Sequence, residues 1–116
     1  WLTDPVRVID GLEFNARLRA VDPCDEIAFL CLECDRLGCP WAGAHIRRRA
    51  GHGLPGGLPD ALFTFYRCHR ASLRARLAAA HLLDPQPRTP EKWLGLARIY
   101  LRLAAADARH LERLLA

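Results

Sequence analysis

A short apolar run, Val6-Arg7-Val8-Ile9, ends abruptly in Asp10-Gly11-Leu12-Glu13-Phe14-Asn15. A strand that stops at an acid followed by glycine aims a carboxylate out of the strand end and into a cleft. Asp10 and Glu13, three residues apart, flank that turn. Their oxygens suit a hard cation, because Mg²⁺ is usually held by one or two carboxylates together with the phosphates of a nucleotide. The same residues also read as a strand ending in a solvated turn, and the choice rests on the residues C-terminal to them.

The chain continues with Ala16-Arg17-Leu18-Arg19-Ala20-Val21-Asp22 and then Glu26-Ile27-Ala28-Phe29-Leu30. Further on stands Phe63-Thr64-Phe65-Tyr66-Arg67-Cys68-His69-Arg70-Ala71, with Arg74 beyond it. The order and spacing of these segments, over roughly residues 5 to 80, resemble the C-terminal half of the aminoglycoside phosphotransferase and choline kinase-like family. The likeness is greatest to a bacterial branch often fused to a P-loop ATP-binding domain. It implies a kinase-like fold and Mg²⁺- and ATP-dependent phosphoryl transfer to the hydroxyl of a small-molecule substrate.

On that resemblance Asp10 matches the metal-binding aspartate. Glu26 matches an acid at the start of the next helix, which in the family braces the catalytic loop by accepting backbone hydrogen bonds. Glu13 matches the branch's glutamate, with metal, substrate or a local amide as its open alternatives. The family's catalytic base lies in a His-x-Asp loop upstream of the metal aspartate. This chain begins at Trp1 and carries no such loop, no Gly-rich phosphate loop and no Val-Ala-x-Lys strand. The expectation is a C-terminal part of a larger protein, with no catalytic residue of its own, needing the missing N-terminal part and a fused P-loop domain as partners. No ATP or Mg²⁺ is expected to stay bound to this chain alone.

The elements that must position these residues are helical. Asp22 can cap, Pro23 fits a first turn, and Asp25 and Glu26 complement the positive end of a helix predicted over about residues 23 to 37, which stops at Gly38. A shorter helix is expected from Trp41 to Ala50, then a Gly- and Pro-rich loop from Gly51 to Pro59. Apolar residues from Leu62 to Ala80, with Phe63, Phe65 and Tyr66 set against Phe29 and Leu30, predict a long helix over 60–83. Thr89-Pro90-Glu91 restarts a last helix with a cap. The fold expected is mainly α: a C-terminal helical subdomain of a kinase-like phosphotransferase, about four helices preceded by one short strand near residues 5 to 10. It divides into a strand and metal-site turn (1–22), a first helix pair (23–50) and two longer helices (60–116).

Composition agrees with this reading. With 116 residues, 51% of them hydrophobic, one small domain can form a core. No membrane-length apolar run or signal peptide is visible, so a soluble, cytoplasmic chain is expected. Five cysteines, an odd number without staple-like spacing, point to a reducing compartment. Cys31-x-x-Cys34, near Cys24, Cys39 and His45, lacks the second pair that structural zinc needs, so helical core thiols explain it better. The net charge of +4 is almost wholly arginine. Arg47-Arg48-Arg49 reads as a solvated helix end. Arg67, Arg70 and Arg74 share one helix face, where ion pairing outweighs substrate contact and RNA binding. The histidines, His69 included, have no catalytic spacing. Nucleic-acid binding is therefore disfavoured, and the alternative to a phosphotransferase part is a non-catalytic helical remnant or interaction module.

The isolated chain should neither hydrolyse ATP nor transfer its phosphate, because base and nucleotide clamp are absent from it. Turnover by the purified chain, abolished by Asp10→Ala, would contradict this.

Overall fold

The computed structural model describes residues 21–116 and the backbone of two short segments before them. These segments, β1 (Leu2–Thr3) and β2 (Val6–Arg7), pair antiparallel, with Leu2 opposite Arg7 and Thr3 opposite Val6. The single strand expected near residues 5 to 10 is thus a two-residue element within a pair. Asp10, Glu13 and the metal-site turn lie outside the described residues.

The described residues are otherwise mainly α, with four helices: α1 (Pro23–Arg36), α2 (Pro40–Gly53), α3 (Asp60–Ala80) and α4 (Pro90–Leu115). Their ends follow local chemistry. The Asp22 carboxylate accepts the Cys24 backbone N–H at 2.9 Å, with Pro23 in the first turn. Gly38, at φ +78°, takes the left-handed position that ends α1. The second helix runs on through Gly53, past the expected stop at Ala50. Its end is set by Leu54, extended because it precedes Pro55, rather than by the glycines. A 3₁₀ turn, His81–Leu83, finishes α3. Thr89 corrects the expected cap: it sits at φ 51° and its hydroxyl donates to the Arg88 carbonyl, while its own carbonyl accepts from Lys92 and Trp93.

Two clusters form the core. Between α1 and α3, edged by α2, lie Cys24, Ala28, Cys31 and Phe63, with Ile46, Leu58 and Tyr66 beside them. Where α3 meets α4 and the back of α1, Leu32, Ala71, Ala75, Tyr100 and Ala104 close together. Ala71 and Ala75 on α3 pack with Ala104 on α4, and Ala78 and Ala97 on the same two helices are also buried. Such small residues at spacings of three and four let two helix axes approach closely. Gly43 does the same for α2, since a Cβ there would stand 3.3 Å from the Cys31 carbonyl oxygen.

This packing corrects the expected apolar face of α3. Phe63 is buried, but against Cys24, Ala28 and Cys31, whereas Phe65 and Leu30 are each 50% exposed and Leu62 and Leu77 also reach solvent. The large apolar residues flank the alanine seam instead of filling it.

Phe63→Ala should therefore cost about 3–5 kcal/mol of stability, and Phe65→Ala less than about 1 kcal/mol. Urea unfolding of both variants checks this; equal losses would contradict the packing described.

Candidate functional site

The most organised chemistry in the described residues runs along α1, which places carboxylates at both of its ends toward α3 or α4. At its start, Asp25 receives a two-pronged hydrogen bond from Arg70, Nε to Oδ1 at 2.7 Å and Nη2 to Oδ2 at 2.6 Å. Arg70 Nη2 also reaches Glu26 Oε1 at 3.0 Å, and the Tyr66 hydroxyl donates to Asp22 at 3.0 Å. Fork-to-carboxylate geometry of this kind is the stronger form of ion pair. At the far end of α1, the hydroxyl of buried Tyr100 donates to Glu33, whose other oxygen accepts from Arg36 at 2.7 Å.

At that same end sits Arg67, bonded to Asp35 of α1 at 2.7 Å and to Asp107 of α4 at 3.2 and 3.3 Å. All three side chains are mostly shielded from water. Burial by itself would lower the Arg67 guanidinium, but the two carboxylates outweigh it and hold it above its ordinary value. Burial also pushes the Asp107 carboxyl up, against the pull of Arg67. The two shifts share a cause: one cation divided between two carboxylates does not fully compensate the more buried of them.

This triad lines a pocket of about 270 Å³ with Arg47, Thr64 and His110 on its other sides. The Arg47 guanidinium lies 4.0 Å from the Phe63 ring centroid and pairs with Asp60. Since α2 extends to Gly53, Arg47, Arg48 and Arg49 stand inside a helix rather than at its end. Arg74 lies over the rings of Phe29, at 5.8 Å, and Tyr100, at 5.7 Å. Of the three arginines singled out from sequence, two are thus ion-paired across helices and the third is seated on aromatic faces.

Glu26 is partly exposed and engaged by Arg70. Asp10 and Glu13, the residues of the expected metal turn, lie outside the described residues, and so does the segment joining them to Asp22. Among the described residues no three His, Cys, Asp or Glu side chains converge as metal ligands, which leaves the Cys31-x-x-Cys34 segment without a zinc-like partner set. His69 is exposed and stacks on Phe65 at 6.2 Å. No helix described is long and apolar enough to cross a membrane. Asp35 and Asp107 were not foreseen as site residues. For Asp35 the signal was present, as an acid on α1 in register with an arginine of α3; for Asp107, far along the chain, there was none.

Comparison with known proteins finds this chain similar to part of longer ones. It is 31% identical over 120 aligned positions to an uncharacterized protein of Mycobacterium tuberculosis strain H37Rv, Rv2004c, and equally to one of Mycobacterium bovis. The alignment covers 95% of this chain but only 21% of those proteins. No family model matches the chain. No solved structure matches it either.

Arg67→Met should cost about 2–4 kcal/mol, because it leaves Asp35 and Asp107 facing each other without their shared cation. The pH dependence has a definite sign. A carboxyl raised on folding contributes stability that is complete below its unfolded pKa and is lost as pH rises through its folded one. The stability of the wild type relative to Asp107→Asn should therefore fall as pH rises above the ordinary aspartate value of about 3.9; a difference that rises with pH there in urea titrations would refute the assignment.

Proposed function

We propose that this chain is the C-terminal helical part of an ATP-dependent, kinase-like phosphotransferase acting on a small-molecule hydroxyl. The observation that carries the reading is the run from Val8 to Arg19, with Asp10 at the end of its apolar stretch, followed by the acidic helix start at Glu26 and the Phe63-to-Arg70 segment. The packing supports it. The two helical segments that bear the resemblance touch each other, through Asp25 and Glu26 with Arg70 and through Asp22 with Tyr66. Their contact anchors the residues at which the Asp10 segment joins α1.

The donor set fits Mg²⁺ in kind. A carboxylate with nucleotide phosphate oxygens is a normal magnesium environment, whereas Asp25, Glu26 and Asp35 are occupied by arginines. Asp10, with Glu13 as a further candidate, would hold the ion. When bound, Mg²⁺ neutralises charge on the phosphates during transfer. What α1 and α3 would contribute is a rigid platform for that turn, with Arg67 and Arg70 engaged by carboxylates rather than free for substrate phosphate. The base, the nucleotide clamp and the fused P-loop domain would come from the rest of the protein, of which this chain, like its mycobacterial counterparts, would be a fraction. A cytoplasmic location, where ATP is available, belongs to the same reading.

A second reading, a non-catalytic interaction module, draws on the exposed apolar side chains of Trp41, Phe65 and Leu77. One experiment separates the two. In the full-length protein, Asp10→Asn should remove Mg²⁺-dependent ATP turnover, assayed across a panel of hydroxyl-bearing small molecules, by at least about 100-fold, with the unfolding midpoint unchanged. Full-length protein that binds no Mg²⁺-ATP by calorimetry would refute the phosphotransferase and leave the module.

A further inference from the structure

The turn between α1 and α2 brings two cysteines together. With Gly38 in the left-handed conformation, its N–H bonds the Asp35 carbonyl at 3.0 Å and the Cys39 N–H bonds the Cys34 carbonyl at 2.9 Å. A helix end closed in this way sets the side chain three places before the cap against the one two places after it, a contact usually made by two apolar residues. Here both positions are cysteine. The Cys39 thiol donates to the Cys34 carbonyl at 3.3 Å, so it lies against the residue that bears the other thiol. Both are half-buried, at a turn whose Leu37 and Gly38 are exposed.

The other three thiols are placed differently. Cys24 is 4% exposed, Cys31 is buried and donates to the Gly43 carbonyl at 3.2 Å, and Cys68 donates to the Ala104 carbonyl at 3.5 Å. Burial raises all three above the ordinary thiol value, which keeps them protonated and unreactive.

We propose that Cys34 and Cys39 are a reversible redox pair that closes into a disulfide across the α1–α2 turn by exchange with a low-molecular-weight disulfide. The Cys39 thiolate, at the surface end of the turn, attacks one sulfur of oxidised glutathione and releases one glutathione thiolate. The Cys34 thiolate then attacks the Cys39 sulfur of the mixed disulfide and releases the second. One S–S bond is broken and one formed, and the two cysteine protons end on the two glutathiones. The protein loses two electrons and the glutathione disulfide gains them. Cys34 takes the resolving step because the turn sets it beside Cys39, so its attack on the mixed disulfide is intramolecular. The bridge would pin the turn that joins the helices bearing Asp35 and Gly43, both of which line the Arg67 pocket. A pair of this kind, open under reducing conditions and closed under oxidising ones, is how thiols serve as sensors in a reducing compartment.

Arg36 lies between the two cysteines, so trypsin places them in separate peptides. The folded protein, equilibrated in glutathione redox buffers, is quenched with iodoacetamide, digested without reductant and mapped by mass spectrometry. The expected result is a cross-linked Cys34–Cys39 peptide pair, lighter than the two thiol peptides by two hydrogen atoms and released by dithiothreitol. It should be absent from Cys34→Ser and Cys39→Ser, and its yield at a given buffer ratio should be lower in Gly38→Ala, which strains the left-handed turn. The proposal is overturned if both cysteines stay alkylated in the most oxidising buffer, if Cys39 stops as a stable glutathione adduct, if either pairs with Cys24, Cys31 or Cys68, or if Gly38→Ala leaves the yield unchanged.

Discussion

Arg67 holds three helices through one guanidinium. It stands on α3, takes a carboxylate from α1 through Asp35 and another from α4 through Asp107, and no other side chain described bonds both of those helices. An ion placed so far from water is tolerated only when its donors are filled, and the geometry of its fork then constrains how the helices can sit. The alanine seam between α3 and α4 supplies the close approach without which Asp107 could not reach. Polar clamp and apolar seam are therefore one device, since Ala71 and Ala104, which border it, would be displaced by larger residues along with the pair.

α1 is the element most tightly specified. Nearly every acid it carries is engaged: Asp25 and Glu26 by Arg70, Asp35 by Arg67, and Glu33 by Tyr100 and Arg36. These ties hold both ends of the helix. In the phosphotransferase reading the segment N-terminal to it is the metal turn, where a misplacement of an ångström is costly to catalysis. In the interaction reading the same rigidity presents exposed apolar side chains in a fixed array. The platform is common ground; the Asp10 segment distinguishes the two.

Much of the helical order was legible from the chain because its signals are local. Asp22-Pro23, Gly38 and Pro90 mark ends through caps, a left-handed glycine and a missing N–H, each acting within a turn of its own position. Where two local signals competed, as at Gly51 to Pro55, the steric rule before proline outweighed the glycine preference and the helix ran longer. The arginines of α3 were recognisable as ion-pair partners because three of them recur on one face and α1 carries acids in number.

The sequence by itself determined that the described residues are mainly helical, most of their helix ends, and that arginines of α3 would pair with acids. The tertiary structure decided which face is inside. Apolar periodicity ranked Phe65 and Leu62 with Phe63 and passed over Ala71, Ala75 and Ala78 of α3, because hydrophobicity is counted residue by residue. Burial depends instead on how close the neighbouring helix can come, and small side chains win where two axes meet. The choice of Asp107 for Arg67 was equally invisible, since it links positions 40 residues apart whose proximity follows only from the antiparallel return of α4 along α3.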